Sequence, residues 1–255
     1  MIPQIIHYCW FGRNSLPLNY QSYMESWKKN CPDYEIKCWN EDNFDVTQNL
    51  YCKEAYEHKK WAFVSDYVRL KVIYEYGGIY LDTDVEVVQD LTPLINDSVG
   101  YIGFQNSEEV NTGLGFAAPP HNPCIKSMLD IYSQRKFVLN NGEYNLIPCP
   151  AVNTVGLMAC GLKTGYQASK MIQHLDGIDV YPEEYFNPLN SDTKKLTISN
   201  KTYTIHWYTA SWFEASAKKK QIVKKFIPQS ILKYRTKWIA RRDIRKIFHE
   251  ILHKE

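Results

Sequence analysis

Apolar and polar positions change period along this chain, and each change marks an element. Residues 4–10 (QIIHYCW) form a short apolar run that closes on Phe11-Gly12, the pattern of a buried strand entering a turn. A helix is predicted over residues 18–29 and stops near Pro32, and residues 34–39 (YEIKCW) read as a second strand broken by Asn40-Glu41-Asp42-Asn43. Another helix is expected over residues 46–58. From 61 to 76, Phe63, Tyr67, Leu70 and Tyr74 recur at helical spacing and Gly77-Gly78 supplies the stop. Residues 79–81 follow as a short central strand, apolar on both faces like a parallel strand covered by helices. This alternation of strand and helix favours a parallel sheet with right-handed crossovers.

The later pattern is less regular. Strands are expected at 100–104 and 114–118, a helix at 121–137 opened by Asn122-Pro123, a loop at 142–150 and a helix at 152–160. Residues 180–189 (VYPEEYFNPL), broken by Pro and Asn, read as a loop, and 202–207 (TYTIHW) alternate as a last strand. Beyond Ala217 the pattern is helical with a break at Pro228. There Ile231, Tyr234, Trp238, Ile244, Ile247, Phe248, Ile251 and Leu252 read as one apolar stripe among many Lys and Arg.

A chain of 255 residues suffices for one large domain that buries about 70–75% of the surface its unfolded form exposes. Charge divides it. The net charge is only +2, but residues 216–255 hold 13 Lys and Arg against 3 Asp and Glu, which leaves 17 against 25 for residues 1–215. A domain at 1–215 and a basic amphipathic tail at 216–255 are therefore expected, the tail serving either as a solvated face packed on the domain or as a contact for an anionic membrane. Seven cysteines without CxxC spacing read as reduced thiols, and neither an export signal nor an apolar run of membrane-spanning length is visible, so a cytoplasmic location is expected. Aromatic and basic residues do not interleave in a nucleic-acid-binding pattern, so no nucleic-acid partner is expected.

The candidate chemistry centres on Asp82-Thr83-Asp84, which follows the apolar run YGGIYL. On an extended strand the two carboxylates share one side, roughly 6–7 Å apart. Two like charges that close call for a cation, and hard oxygen ligands suit Mg²⁺ or Mn²⁺ shared with substrate phosphates. Asp66 and Arg69, three apart on the preceding helix, are either a surface ion pair or a pair that grips sugar hydroxyls. Trp10 is either core or a platform for a base, and His206 either a buried histidine or a metal or phosphate ligand. Ser211 and Trp212 stand just beyond the last predicted strand.

The segments IPQIIHYCWFG, SWKKNCPDYEIKCWNEDNF, AFVSDYVRLKVIYEYGGIYLDTDVEV and IHWYTASW resemble glycosyltransferase family 32, the DXD-containing bacterial capsular polysaccharide and lipopolysaccharide sugar transferases. The similarity covers nearly all of residues 1–213. In its core the family is also similar to clostridial glucosylating toxins and yeast-type initiating mannosyltransferases. The resemblance implies a fold in the α/β class, a GT-A-type, Rossmann-like mixed sheet flanked by helices, to which the basic helical tail is appended. It implies a retaining hexosyltransferase that uses Mn²⁺ or Mg²⁺ and a nucleotide-sugar, with a UDP-hexose expected, and that acts on a glycan or lipid-linked oligosaccharide acceptor. Trp10 would stack on the base, Asp66 and Arg69 hold the donor sugar, Asp82 contact ribose or the metal shell, and Asp84 bind the metal. His206 would complete the metal shell, while Ser211 and Trp212 close over the diphosphate and touch the leaving oxygen. Two other classes are open to the residues alone. A haloacid-dehalogenase-type phosphohydrolase also places DxD after an apolar strand, but it normally has Thr or Val where Glu86 stands and opens the chain with the motif; a non-catalytic glycan-binding protein is the other.

Overall fold

The computed structural model describes residues 1–95, 99–209 and 228–252. The first third folds as β1 (Ile5–Cys9), α1 (Leu18–Asn30), β2 (Glu35–Trp39), α2 (Leu50–Glu57), α3 (Trp61–Tyr76) and β3 (Gly78–Tyr80). β1 pairs in parallel with both β2 and β3, the arrangement that the strand and helix order favours. Then come β4 (Val85–Val87), β5 (Gly100–Gly103), β6 (Phe116–Ala118), α4 (Pro123–Ser133), α5 (Cys149–Ala159), β7 (Gln173–Leu175), β8 (Ile178–Tyr181), α6 (Glu183–Phe186), β9 (Thr204–His206) and α7 (Gln229–Leu252). Seven strands form a mixed sheet in the order β2-β1-β3-β6-β5-β8-β7, in which β6 runs antiparallel to β3 and β5, and β7 antiparallel to β8. β4 and β9 make a separate antiparallel pair.

Strand alternation sorts the sheet's side chains into two cores. Tyr80, Ile102, Phe116, Ala118 and Val180 pack against α2, α3, α4 and α5, whereas Ile6, Ile79, Tyr101 and Ala117 pack with Trp27 of α1, Val85 and Val87 of β4, and Phe186 of α6. The α3–β3 junction turns on Gly77-Gly78, with φ of +67° and +102°. A Cβ on Gly77 would stand 2.7 Å from Pro120, and one on Gly78 2.7 Å from the Ile5 carbonyl, so both positions require glycine.

Two expectations change. Residues 180–189 do not form a loop: Ile178 and Val180 point inward from β8, Pro182 ends that strand, and its fixed φ opens α6. The alternation that marks β8 begins at Ile178, two residues before that range. The apolar stripe of the last helix is two stripes. Ile244 and Ile247 join the core beneath α5, with Leu232 and Ala240 also buried, while Ile231, Tyr234, Trp238 and Leu252 lie exposed. Polar latches fix α7 in place. Arg241 donates from Nε and Nη2 to the Glu108 carboxylate at 3.0 and 3.3 Å, and Arg135 Nε donates to Glu250 at 2.8 Å.

Candidate active site

β3 ends at Tyr80, so Asp82 and Asp84 stand in the turn beyond the strand rather than on it. The Val85 N–H donates to the Asp82 carbonyl at 3.0 Å, which closes the turn. This turn, not strand alternation, brings the carboxylates together. The register of the small ribbon sets Val85 opposite His206, and one ligating atom each from Asp82, Asp84 and His206 lies within 4.8 Å of the others.

Each charge in the cluster has a specific partner. His206 Nε2 stands 3.2 Å from Asp84 Oδ1 and 3.9 Å from Asp82 Oδ2. Asp84 Oδ2 accepts from the Thr209 N–H at 3.0 Å and from its hydroxyl at 3.1 Å. Burial alone would raise the Asp84 pKa, but the His206 charge and these hydrogen bonds hold it well below the usual carboxylate range. Burial works against the charge on His206 too, yet Asp84 and Asp82 push its pKa up to about 9.

Asp66 and Arg69 form no surface pair. Their side chains are 10% and 5% exposed, Arg69 Nη2 lies 3.1 Å from Asp66 Oδ1, and the same nitrogen reaches Asp82 Oδ1 at 3.2 Å. Burial lifts the Asp66 pKa to about 6, against the opposing pull of Arg69. The Tyr80 hydroxyl donates to Asp82 at 3.0 Å, and the Arg69 guanidinium lies 5.1 Å from the Tyr80 ring centre. Three carboxylates thus face two cationic side chains, and the surplus negative charge together with hard oxygen donors and one imidazole fits a divalent ion.

Sequence reasoning missed the opposite wall. A Cβ on Gly113 would stand 2.7 Å from Asp82 Oδ2, so a larger residue there would displace this carboxylate. The Gly113 N–H donates to Asn111 Oδ1, Asn111 Nδ2 to Gln105 Oε1, and Asn187 Nδ2 to the Gln105 carbonyl. The Tyr208 hydroxyl then donates to Asn187 Oδ1 at 2.8 Å, and its ring meets His206 edge-on with centroids 4.1 Å apart. Tyr208 is left-handed, at φ +49°, between Trp207, whose N–H donates to the Asp84 carbonyl, and Thr209, whose N–H donates to the Asp84 side chain. The available sequence signal was the Asn and Gly punctuation of Asn111-Thr112-Gly113, which marks a turn but not its neighbour.

Trp10 follows β1 at its carboxyl end, half-buried, with Nε1 donating to the Asn14 carbonyl at 2.7 Å. Its ring centre lies 5.7 Å from that of Tyr20, whose hydroxyl is 3.1 Å from the Thr209 hydroxyl on Asp84. The structure therefore gathers Asp66, Arg69, Asp82, Asp84 and His206 and sets Trp10 at the edge; Ser211 and Trp212 lie outside the described residues.

A mixed sheet flanked by helices, with an acidic turn beyond the central strand, is an α/β fold of the GT-A type. Residues 17–100 match the model of the glycosyltransferase sugar-binding region containing the DXD motif, and Asp82-Thr83-Asp84, inside that range, has the DXD pattern. Inositol phosphoceramide mannosyltransferase 3 of Schizosaccharomyces pombe is 32% identical over 120 residues, which cover 46% of this chain and 33% of that protein. Inositol phosphoceramide mannosyltransferase 1 of the same yeast is 25% identical over 188 residues, 67% of this chain and 52% of that one. The chain thus matches between a third and about half of the length of these relatives. Among solved structures, PaToxG glycosyltransferase shares the fold with a TM-score of 0.52 at 22% identity, over 62% of this chain and 69% of the other.

Proposed function

We propose that the protein transfers a hexose, with retention of anomeric configuration, from a nucleotide diphosphate sugar to a hydroxyl of a cell-surface polysaccharide or a lipid-linked oligosaccharide. The observation that carries this reading is the convergence of Asp82, Asp84 and His206 beside the buried Asp66–Arg69 pair, within a sugar-binding region of the DXD type. Asp82, Asp84 and His206 would hold Mn²⁺ or Mg²⁺, which supplies positive charge against the charge that develops on the departing diphosphate.

The chain's own residues do the positioning. Asp66 and Tyr80 fix the Arg69 guanidinium against Asp82, so this edge meets the sugar in a set orientation. Thr209 and Tyr208 hold Asp84 and His206 from the other side. Trp10 offers a ring face for the base, and Ser211 and Trp212 are read as closing over the diphosphate. Attack on the same face as the leaving group is preferred over a covalent intermediate, because the sequence singles out no carboxylate as a nucleophile. A UDP-hexose is the proposed donor, UDP-galactose first; the names of the two yeast relatives support a mannosyl donor as the competing choice.

The test is donor hydrolysis with Mn²⁺ across UDP-galactose, UDP-glucose, UDP-N-acetylhexosamines and GDP-mannose. Metal-dependent hydrolysis of one donor is expected, with loss in Asp84→Asn. Metal-independent turnover that survives Asp84→Asn would refute the site. Phosphate release from sugar phosphates would point to a phosphohydrolase, and sugar binding indifferent to EDTA without hydrolysis to a glycan-binding protein.

A further inference from the structure

α7 is buried along one side only. Leu232, Ala240, Asp243, Ile244 and Ile247 face the domain, and at 3.6 residues per turn the opposite side carries Ile231, Tyr234, Trp238, Arg242, Arg245 and Leu252. The four apolar residues of that outer strip are large and 56%, 74%, 56% and 73% exposed. Tyr234 and Trp238 border an open concavity of about 650 Å³ whose walls are otherwise mostly basic, including Arg242, Arg245 and Lys246.

Both acidic residues of α7 are paired. Asp243 is buried and meets Arg242 at 2.8 Å, while Glu250 bonds Arg135 on the domain. Arg242 is thus balanced within its own helix, whereas Arg245 and Lys246 are exposed and form no ion pair among the described residues. Among the described residues no helix is long and apolar enough to cross a membrane. A strip that is both cationic and edged by exposed aliphatic and aromatic side chains matches a surface with phosphates above an apolar layer. Nucleic acid would use the charge but would leave Ile231 and Leu252 without a partner.

We propose that the outer face of α7 docks the protein on an anionic lipid bilayer. The helix lies along the surface, Arg245 and Lys246 meet lipid phosphates, and Ile231, Tyr234, Trp238 and Leu252 enter the headgroup boundary. The inner face stays on the domain through Ile244 and Ile247, so docking needs no unfolding of the helix. This inference does not rest on the transferase reading.

The experiment is co-sedimentation of the full chain with vesicles of phosphatidylcholine alone or with about one third phosphatidylglycerol. Binding is expected to the anionic vesicles and to weaken in high salt. Arg245→Glu with Lys246→Glu should lower the partition at least about tenfold, and Trp238→Ser with Leu252→Ser several-fold. Thermal melting checks that the variants fold, since none of these side chains is buried. Equal binding to both vesicle types, binding indifferent to both variants, no binding, or retention on RNA without vesicle binding would each overturn the proposal.

Discussion

The turn after β3 and the outer face of α7 are both crowded with charge, and they treat it in opposite ways. Around the turn, Asp66, Arg69, Asp82, Asp84 and His206 are mostly withdrawn from water, with ion-pair distances of 3.1–3.9 Å. On α7, Arg245 and Lys246 are exposed. Coulomb interactions are several-fold stronger in the protein's lower dielectric than in salt water, where they fade within about 8–10 Å. Each residue of the turn is consequently an individual part, whereas the helix face acts through its summed charge.

The strongest way to break this comparison is Asp84→Asn. Donor hydrolysis should fall about 10³-fold, because Asp84 meets both the His206 ring and Thr209 and is one of the three groups suited to the ion. A kcat within tenfold of the unaltered protein would show that Asp84 is not an individual part of the site. Next is Arg69→Met, which leaves Asp66 and Asp82 without their shared cation. Urea unfolding should report a loss of about 3–5 kcal/mol, against less than about 0.5 kcal/mol for Arg245→Met. Equal losses would erase the contrast between the regions.

A third test sharpens the contrast with a buried group kept neutral. His7 Nδ1 accepts from Trp39 Nε1 at 2.9 Å, which assigns the proton to Nε2, where it is donated to the Gly77 carbonyl at 3.0 Å. Burial, opposed by that backbone hydrogen bond, lowers its pKa from 6.5 to about 4. Between those values the unfolded chain takes up a proton that the folded chain refuses, so stability falls as pH drops from 6.5 to 4. The His7 contribution to that loss is about 3 kcal/mol. Subtracting the pH dependence of His7→Gln isolates it, and parallel curves would rule out a buried neutral His7.

What was legible in the sequence follows the same division between local and distant contacts. Residues 61–76 carry a helical period ended by Gly77-Gly78, both set by neighbours along the chain, so α3 and β3 could be read directly. The pairing of Asp66 with Arg69 was also readable as a spacing, but its burial was not, because burial depends on Cys149 of α5 and Tyr80 of β3 closing around it. His206 could be placed near the end of a strand, yet the pairing of that strand with β4 joins residues about 120 apart and leaves no periodic trace. Gly113 and Tyr208 were missed for the same reason: the one stands against Asp82, and the other is held by Asn187 and His206. On α7, hydrophobicity alone could not separate the stripe that meets the domain from the stripe that meets solvent, since both contain large apolar residues at helical spacing.

The smallest expected effect belongs to a pair that straddles the two regimes. The Arg241 side chain is 58% exposed, but the Glu108 carboxylate it grips from two nitrogens is only 5% exposed and otherwise accepts from the Ser107 hydroxyl. Arg241→Ala would leave a nearly buried carboxylate with one neutral donor. Water can reach it through the space that the arginine vacates, so the cost should be about 1–2 kcal/mol, between those of Arg69→Met and Arg245→Met. Urea unfolding of the three variants places them on one scale. A loss for Arg241→Ala as large as that of Arg69→Met would mean that α7 holds its charges as the turn does, and a loss indistinguishable from that of Arg245→Met would mean that Glu108 finds water even when paired. Only the intermediate value supports burial of the weaker partner, rather than the number of hydrogen bonds, as the variable that separates the two regions.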